Sequence, residues 1–181
     1  VYVNAVYNDL SNATGLSVLI ATLLFAVQIY CDFSGYTDIA IGCARVLDIK
    51  LMKNFDNPYV AKSIKEFWSR WHISLSSWLK DYIYIPLGGN RCSAVRHMFN
   101  LFVVFLISGI WHGAAWTFVL WGILHGAYQI IGALTLKSRN KMITKIGLSP
   151  ESKTVSVFRQ IITFLLVDFA WILFRANSLS D

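Results

Sequence analysis

Two of the four histidines in this chain have surroundings that suit proton transfer. His112 lies in the segment GIWHGAAW, inside a stretch between Arg96 and Lys137 that contains no Asp, Glu, Lys or Arg. An ionisable side chain inside a membrane is costly and is a functional candidate by default; the alternative is a neutral imidazole that donates one N–H to a neighbouring helix. His72 lies near the apolar side of a predicted amphipathic helix, where structural and catalytic roles both stay open. These two residues suggest general-base chemistry.

Motifs of other chemistries are absent from the sequence. No HxxxH or HExxH pair is present for zinc, no GxSxG elbow for a serine nucleophile, and no GxxxxGK loop for phosphate. Asp32 and Asp38 are too widely spaced to meet on one helical face, and the cysteines lack CxxC spacing, so they are interpreted as core residues. We therefore expect no metal site and no bound cofactor. A neutral imidazole can instead accept the proton of a hydroxyl that attacks an acyl donor, a contribution of about 10²–10⁴-fold.

The remaining polar residues have weaker claims to a role in chemistry. Asp168 interrupts the last apolar run, and we interpret it as an interfacial or cavity-facing carboxylate with a cationic partner. His125 is predicted to be a packing or interfacial residue, and His97 to belong to a charged flank. A group of cations either attracts the phosphates of an acyl donor or forms a solvated membrane-facing flank. These cations are Lys62, Lys65, Arg70, Lys80 and Arg91.

Composition predicts an integral membrane protein. The chain has 181 residues, of which 56% are hydrophobic and 14% charged, against about 25% charged in an ordinary soluble domain. Residues 10–31 are long enough for one membrane crossing, and a further apolar stretch follows Arg159. Residues 97–136 are long enough for two crossings, or for one crossing and a re-entrant segment. We predict one continuous transmembrane helical region over residues 1–181, as an excerpt of a larger protein.

The distribution of charge argues against nucleic acid as a partner. The net charge is +6, but the cations flank the long apolar stretch instead of forming one basic face. Residues 45–96 hold nine Lys and Arg against four Asp and Glu, and residues 137–159 hold six against one. Because cytoplasmic loops of membrane proteins are enriched in Lys and Arg, both segments are predicted to face the cytoplasm. The stretch between them then forms a hairpin.

Local patterns predict two further elements. Ser34 and Gly35 are expected to interrupt the first helix, which resumes over residues 39–47. Apolar residues at three- and four-residue steps over residues 64–82 predict one amphipathic helix at the membrane interface, with Ser63 or Asn57 as its cap and IPLGGN as its end. Its tryptophans and tyrosines suit the headgroup level.

Three blocks of this sequence resemble one family. QIYCDFSGYTDIAIG, NFDNPYVAKSIKEFWSRWHISLSSWLKDYIYIPLGGNR and GIWHGAAWTFVLWGILHG are similar, in this order, to segments of bacterial membrane-bound O-acyltransferases, and above all to the alginate and other polysaccharide O-acetyltransferases. The resemblance implies an all-α polytopic integral membrane protein, with amphipathic or re-entrant helices, that is part of a ring of helices around a tunnel. It also implies that His112 is the catalytic base and that His72 lies in the same site.

The resemblance carries a functional expectation as well. An acetyl group would move from a cytoplasmic thioester, acetyl-CoA or an acyl carrier, to hydroxyls of an exported, alginate-like polysaccharide at the inner (plasma) membrane. The expected partners are membrane lipid, the acyl donor and the polysaccharide acceptor, reached directly or through periplasmic acetyltransferase partners, with no nucleic acid. The alternatives are D-alanyl transfer, peptidoglycan O-acyl transfer, and a non-catalytic membrane transporter or scaffold.

Overall fold

The computed structural model describes residues 2–179, and within that range it consists of helices and connecting segments without a β-strand. Val1, Ser180 and Asp181, at the ends of the predicted single region, lie outside the described residues. The α-helices are α1 (Tyr2–Tyr7), α2 (Gly15–Val46), α3 (Ile64–Arg70), α4 (Ile73–Leu79), α5 (Ala94–His112), α6 (Trp116–Lys145) and α7 (Lys153–Arg175). Short 3₁₀ turns cover Leu10–Asn12 and Pro58–Val60, and a π-helical turn covers Lys80–Tyr84. The predicted all-α class is confirmed.

Four of these helices, α2, α5, α6 and α7, are long and apolar enough to cross a membrane. The shortest of them, α5, has 19 residues and is therefore about 28 Å long, close to the thickness of a hydrocarbon core. The chain is thus a multi-pass membrane protein. Its place in a ring of helices around a tunnel stays a prediction.

Helix α2 runs through the predicted break at Ser34 and Gly35, so that prediction is wrong. The hydroxyl of Ser34 donates to the Cys31 carbonyl at 3.4 Å, and the Thr37 hydroxyl donates to the Ser34 carbonyl at 2.9 Å. These side chains are satisfied by their own helix, and no other segment comes within 4 Å of a Cβ placed on Gly35. Without a proline or an inserted group, nothing forces the helix to kink.

The amphipathic helix predicted over residues 64–82 is divided into α3 and α4, which is a second correction. Ser63 caps α3 as predicted, because its hydroxyl oxygen accepts the Glu66 N–H at 3.1 Å. The helix then ends at Arg70, whose carbonyl accepts the Asp56 N–H at 2.9 Å. His72 follows with φ +47°, in the left-handed region. Hydrogen bonds from the preceding loop therefore replace those that a continuous helix would make.

The aromatic side chains around this break pack inside the protein rather than at an interface. Phe67, Trp68 and Trp71 are all buried, and the Trp71 ring lies 5.2 Å from the Trp171 ring of α7. Trp78 and Tyr82 remain exposed, as expected of interfacial aromatics. The interfacial interpretation is thus wrong for the first half of the segment and stays a prediction for Trp78 and Tyr82.

Helices α5 and α6 form the predicted hairpin. Residues 113–115 join them, and the two backbones come into close contact at Gly109 and Gly122. A Cβ on Gly109 would lie 3.1 Å from the Gly122 Cα, so neither position has room for a side chain. Small residues allow this close backbone approach between membrane helices.

The cysteines do not fill the core as expected. Cys31 and Cys43 are exposed on α2, and Cys92 is half-buried. The core is instead aromatic, with Phe67, Trp121 and Trp171 among its most completely buried side chains.

Candidate functional site

A cleft of about 570 Å³ lies at the end of α5 and is lined by both His72 and His112. One wall comes from α2 and includes Phe25, Phe33 and Tyr36; Trp111 and Phe174 line the cleft from α5 and α7. Gln28 and Asp32 supply polar groups from α2. The two histidines that the sequence singled out are therefore brought to one cavity, although 40 positions separate them in the chain.

His112 is the last residue of α5 and is surrounded by aromatic rings. Its ring centre lies 5.0 Å from that of Trp111, 5.1 Å from Trp121 and 5.2 Å from Phe174. The helix ends here because Gly113 adopts an extended conformation. A Cβ on Gly113 would lie 2.8 Å from two carbons of the Phe118 ring, so the glycine after His112 makes room for this aromatic cage.

His72 occupies the left-handed turn between α3 and α4. Its Nδ1 lies 3.4 Å from Asn54 Oδ1 and 3.4 Å from Ser74 Oγ. The Phe33 ring packs edge-on against the imidazole at 4.7 Å. Burial, with a smaller contribution from the charge of nearby His112, lowers the pKa of His72 to about 4. The imidazole is therefore neutral near pH 7 and able to accept a proton.

Trp111 lies close to both histidines. Its ring centre is 6.2 Å from that of His72 and 5.0 Å from that of His112. The cleft thus contains two imidazoles in a largely aromatic lining, and an imidazole beside a bound hydroxyl can act as its base.

Sequence reasoning missed Asn54, which contacts His72 and is itself almost fully buried. Asn54 begins the segment NFDNPYVAKS, and no periodic pattern of the sequence marks it as a site residue. Asn54 also lines a second, smaller cleft of about 240 Å³, together with Asp38 and Lys53. The contact of Asn54 with His72 joins residues 18 positions apart, and local sequence patterns do not reveal such a contact.

The other two histidines lie outside the cleft. His125 is fully buried in the core, where its Nδ1 accepts the Trp68 Nε1–H at 3.2 Å. This matches the packing role predicted for it. His97 is near the start of α5, with its ring 6.1 Å from that of Tyr84.

Asp168 has no cationic partner within residues 2–179, so that part of its interpretation is wrong. Its side chain is almost fully buried on α7, and Oδ1 has no hydrogen-bond partner in the described part of the chain. The carboxyl group of Asp168 is therefore buried in the described part of the chain without the ion pair that was expected for it.

The basic residues proposed for donor binding also lie away from the cleft. Lys62, Lys65, Lys80 and Arg91 are exposed, and Arg70 pairs with Glu66 at 2.8 Å. Among residues 2–179, no Lys or Arg lines the cleft that holds the histidines. That range also contains no group of three His, Cys, Asp or Glu side chains able to hold a metal ion.

The sequence of this chain is similar to those of several known proteins. Residues 3–169 match the sequence model of the membrane-bound O-acyltransferase family, MBOAT. The chain is 43% identical over 170 residues to the "Probable alginate O-acetylase AlgI" of Azotobacter vinelandii, covering 94% of this chain and 32% of that protein. It is 45% identical over 173 residues to the "Peptidoglycan O-acetyltransferase" of Helicobacter pylori, covering 93% of this chain and 31% of that protein.

A more distant relative is the "Teichoic acid D-alanyltransferase" of Streptococcus thermophilus, 32% identical over 167 residues, which cover 83% of this chain and 39% of the relative. The alginate O-acetylase and peptidoglycan O-acetyltransferase relatives are about three times as long as the part that this chain matches, so the chain spans about a third of their length.

Proposed function

The chain belongs to the membrane-bound O-acyltransferase family, and we propose that it carries the acyl-transfer histidines of an enzyme that acetylates hydroxyls of an exported polysaccharide. The observation that supports this proposal is the meeting of His112 and His72 in one cleft at the end of a membrane-spanning helix. A neutral imidazole beside an apolar cavity has the properties of a general base for an alcohol.

In the proposed reaction, His112 takes the proton of the acceptor hydroxyl while the hydroxyl oxygen attacks the carbonyl carbon of a thioester. Collapse of the tetrahedral intermediate breaks the C–S bond, and the proton passes from His112 to the departing thiolate. The products are an O-acetyl ester and a free thiol. His72 assists by accepting a hydrogen bond from the same hydroxyl or by orienting it.

The lining of the cleft suits the thioester end of an acyl donor, whereas the phosphates of the donor would stay outside the cleft. The cleft is lined by aromatic side chains and, among the described residues, by no cation, so it suits a thioester and an alcohol rather than phosphates. The phosphates of acetyl-CoA, or of the phosphopantetheine of an acyl carrier, would remain near the exposed Lys and Arg side chains outside it. Acetyl-CoA or a carrier is therefore the donor we propose.

The proposed location is the inner (plasma) membrane, because the donor is made in the cytoplasm and the acceptor is exported. Acetyl groups would reach the polysaccharide directly or through periplasmic acetyltransferase partners. The similarity to a peptidoglycan O-acetyltransferase, at 45% identity, makes peptidoglycan a second candidate acceptor. D-Alanyl transfer has weaker support, from a relative at 32% identity.

The test is His112→Ala in the full-length protein within its own bacterium. The O-acetyl content of the extracellular polymer and of peptidoglycan is measured by mass spectrometry, together with the amount of membrane-inserted protein. We expect loss of acetylation by at least the 10²-fold that a positioned base contributes, with export unchanged. His97→Ala is the matched control, because His97 lies outside the cleft.

Two results would count against the enzyme. If acetylation persists in the His112→Ala variant, then His112 is not the base. If the His112→Ala variant exports much less polymer, and the polymer that is still made keeps its acetyl groups, the protein is a transporter or scaffold. Loss of acetyl groups from peptidoglycan alone would identify the acceptor and leave the proposed chemistry intact.

A further inference from the structure

We propose that Asn54 is a positioning residue for His72, which keeps the proton of the neutral imidazole on Nδ1 and leaves the Nε2 lone pair available to the cleft. This inference rests on the proposed function of the same cleft. It assigns a role to a loop residue at the start of the sequence block that contains His72, and their contact joins positions 18 residues apart.

Asn54 first holds the backbone turn on which His72 lies. Its main-chain carbonyl accepts the Ile73 N–H at 3.0 Å, and its side-chain Oδ1 accepts the Ser74 N–H at 3.1 Å. These are the first two N–H groups of α4, which have no partner inside their own helix. The His72 side chain makes no capping hydrogen bond of its own in the described structure. Asn54 therefore caps α4 from a distant loop and stabilises the left-handed conformation of His72.

The same contacts fix which atom of the Asn54 amide faces the helix. A backbone N–H can only donate, so the atom 3.1 Å from the Ser74 nitrogen must be the amide oxygen. The Ser74 hydroxyl donates to the same oxygen at 3.0 Å. Because its hydrogen is used there, Ser74 Oγ has only lone pairs to offer a further neighbour.

The tautomer of His72 follows from these assignments. The two atoms 3.4 Å from Nδ1, Asn54 Oδ1 and Ser74 Oγ, are both acceptors. A lone pair on Nδ1 would face oxygen lone pairs, whereas an N–H is attracted to both. The separations are long for hydrogen bonds, as is common in catalytic sites without substrate. Their effect is to orient the ring and select the Nδ1–H form.

Nε2 is then the basic nitrogen of neutral His72. Among residues 2–179 it has no recorded hydrogen-bond partner, and His72 lines the cleft that also contains His112. In this tautomer Nε2 accepts a hydrogen bond from an alcohol and cannot donate one to a carbonyl oxygen. The geometry thus assigns to His72 a contact with the hydroxyl rather than with the thioester oxygen.

Asn54→Asp in the full-length protein tests the assignment by a pH profile. The carboxylate retains an acceptor oxygen at the same position and adds a negative charge beside Nδ1, which stabilises the imidazolium. The acid limb of kcat/KM is expected to move upward by about one to three pH units. The other titratable groups lining this cleft are His112 from α5 and Asp32 and Tyr36 from α2, and all three are unchanged in the variant. Lys53, next to Asn54, pairs with Asp56 at 2.6 Å.

Asn54→Ala removes Oδ1 while the main-chain carbonyl remains. We expect kcat to fall by about 10- to 100-fold, as for loss of a supporting contact to a catalytic imidazole, with KM nearly unchanged. Ser74→Ala should produce a smaller loss in kcat. Ser77→Ala, on the same short helix but outside the His72 contacts, is the matched control.

A second readout does not depend on activity. Nitrogen-15 NMR of histidine-labelled full-length protein in lipid, with His72 assigned by comparison with His72→Gln, reports which ring nitrogen carries the proton. We expect Nδ1–H at neutral pH in the wild type and a shift toward Nε2–H in Asn54→Ala. A wild-type His72 with the proton on Nε2 would overturn the proposal, even if the Asn54 variants fold poorly.

The outcomes separate this inference from the proposed function. Persistent acetylation in His112→Ala defeats the proposed function. If His112→Ala abolishes acetylation while Asn54→Asp has the wild-type pH profile, only the positioning role is wrong.

Discussion

At the scale of residues, the direct contacts of the two imidazoles are with aromatic rings and, for His72, with an amide and a hydroxyl oxygen. Within residues 2–179, neither His72 nor His112 has a carboxylate at hydrogen-bond distance. In Ser-His-Asp sites a carboxylate stabilises the imidazolium, whereas here that stabilisation is missing. The arrangement therefore favours neutral imidazoles, which are ready to accept a proton and release it promptly to a leaving group.

Gly113→Ala is predicted to impair catalysis through the aromatic cage. The backbone at Gly113 is extended, so alanine can adopt it, but its Cβ would lie 2.8 Å from the Phe118 ring. That ring packs 5.1 Å from Phe174 and 6.3 Å from His112, so displacing it shifts the base. We expect kcat to fall by up to about 10²-fold, the cost of an ångström-scale misplacement, measured in purified full-length protein.

The double variant Gly113→Ala with Phe118→Leu is the control for this steric explanation. The smaller leucine should relieve the overlap and restore part of the lost kcat. Wild-type activity in the single variant would contradict the role assigned to the glycine.

At the scale of elements, the α5–α6 hairpin fixes where His112 is placed. The two helices approach at Gly109 and Gly122, one helical turn from the cleft, and this contact sets the position of the end of α5. In membrane helices, association depends on such close packing because lipid offers no hydrophobic driving force between helices.

Gly122→Ala is therefore expected to destabilise the protein. The added Cβ would collide with the Phe105 carbonyl oxygen and approach the Gly109 Cα to 3.1 Å, and backbone atoms on both sides leave little room to adjust. We expect a loss of about 1–3 kcal/mol, as for overpacking, seen as a lower thermal midpoint in detergent.

Gly132→Ala is the matched control on the same helix, because no atom lies within 4 Å of its Cβ position. Alanine there should leave stability unchanged or raise it by up to about 1 kcal/mol through helix propensity. Equal effects of the two substitutions would mean that propensity, and not interhelical packing, governs the hairpin.

At the scale of the whole molecule, the short helix α3 packs against the membrane-spanning helices α6 and α7. Trp71 contacts Trp171 of α7, and Trp68 contacts Trp121 of α6, so the segment that carries His72 is anchored by its aromatic side chains. The antiparallel hairpin of α5 and α6 returns the chain to the side where it entered. The basic residues at the two ends of the hairpin, Arg91 and Arg96 before it and Lys137 to Lys145 after it, then lie on one side of the membrane, as the enrichment of Lys and Arg in cytoplasmic loops predicts.

Tags placed near Arg91 and Lys145 are accordingly predicted to report the same, cytoplasmic side, and a tag after Arg175 the opposite side, because α7 crosses once more. Labelling with a membrane-impermeant reagent in intact and opened cells measures this. Opposite sides for Arg91 and Lys145 would rule out the hairpin.

The sequence by itself determined the properties that depend on composition and local order. The charge-free stretches predicted the membrane spans, the basic flanks predicted the hairpin, and Ser63 marked a helix start because its hydroxyl caps a nearby N–H. A long apolar stretch without charges spans a membrane as a helix, because a helix satisfies its own backbone hydrogen bonds. These features could therefore be predicted without knowing any contact between distant residues.

Only the tertiary structure decided the break at His72, the continuity of α2 and the association of Asn54 with the cleft. The pattern over residues 64–82 fits one helix, but hydrogen bonds to Asn54 and Asp56 divide it. Ser34 and Gly35 suggest a break, yet nothing packs against them to produce one. Each of these features depends on which groups of the folded chain hydrogen-bond to a given backbone N–H or C=O. The sequence does not show that residues 18 positions apart, such as Asn54 and His72, come together.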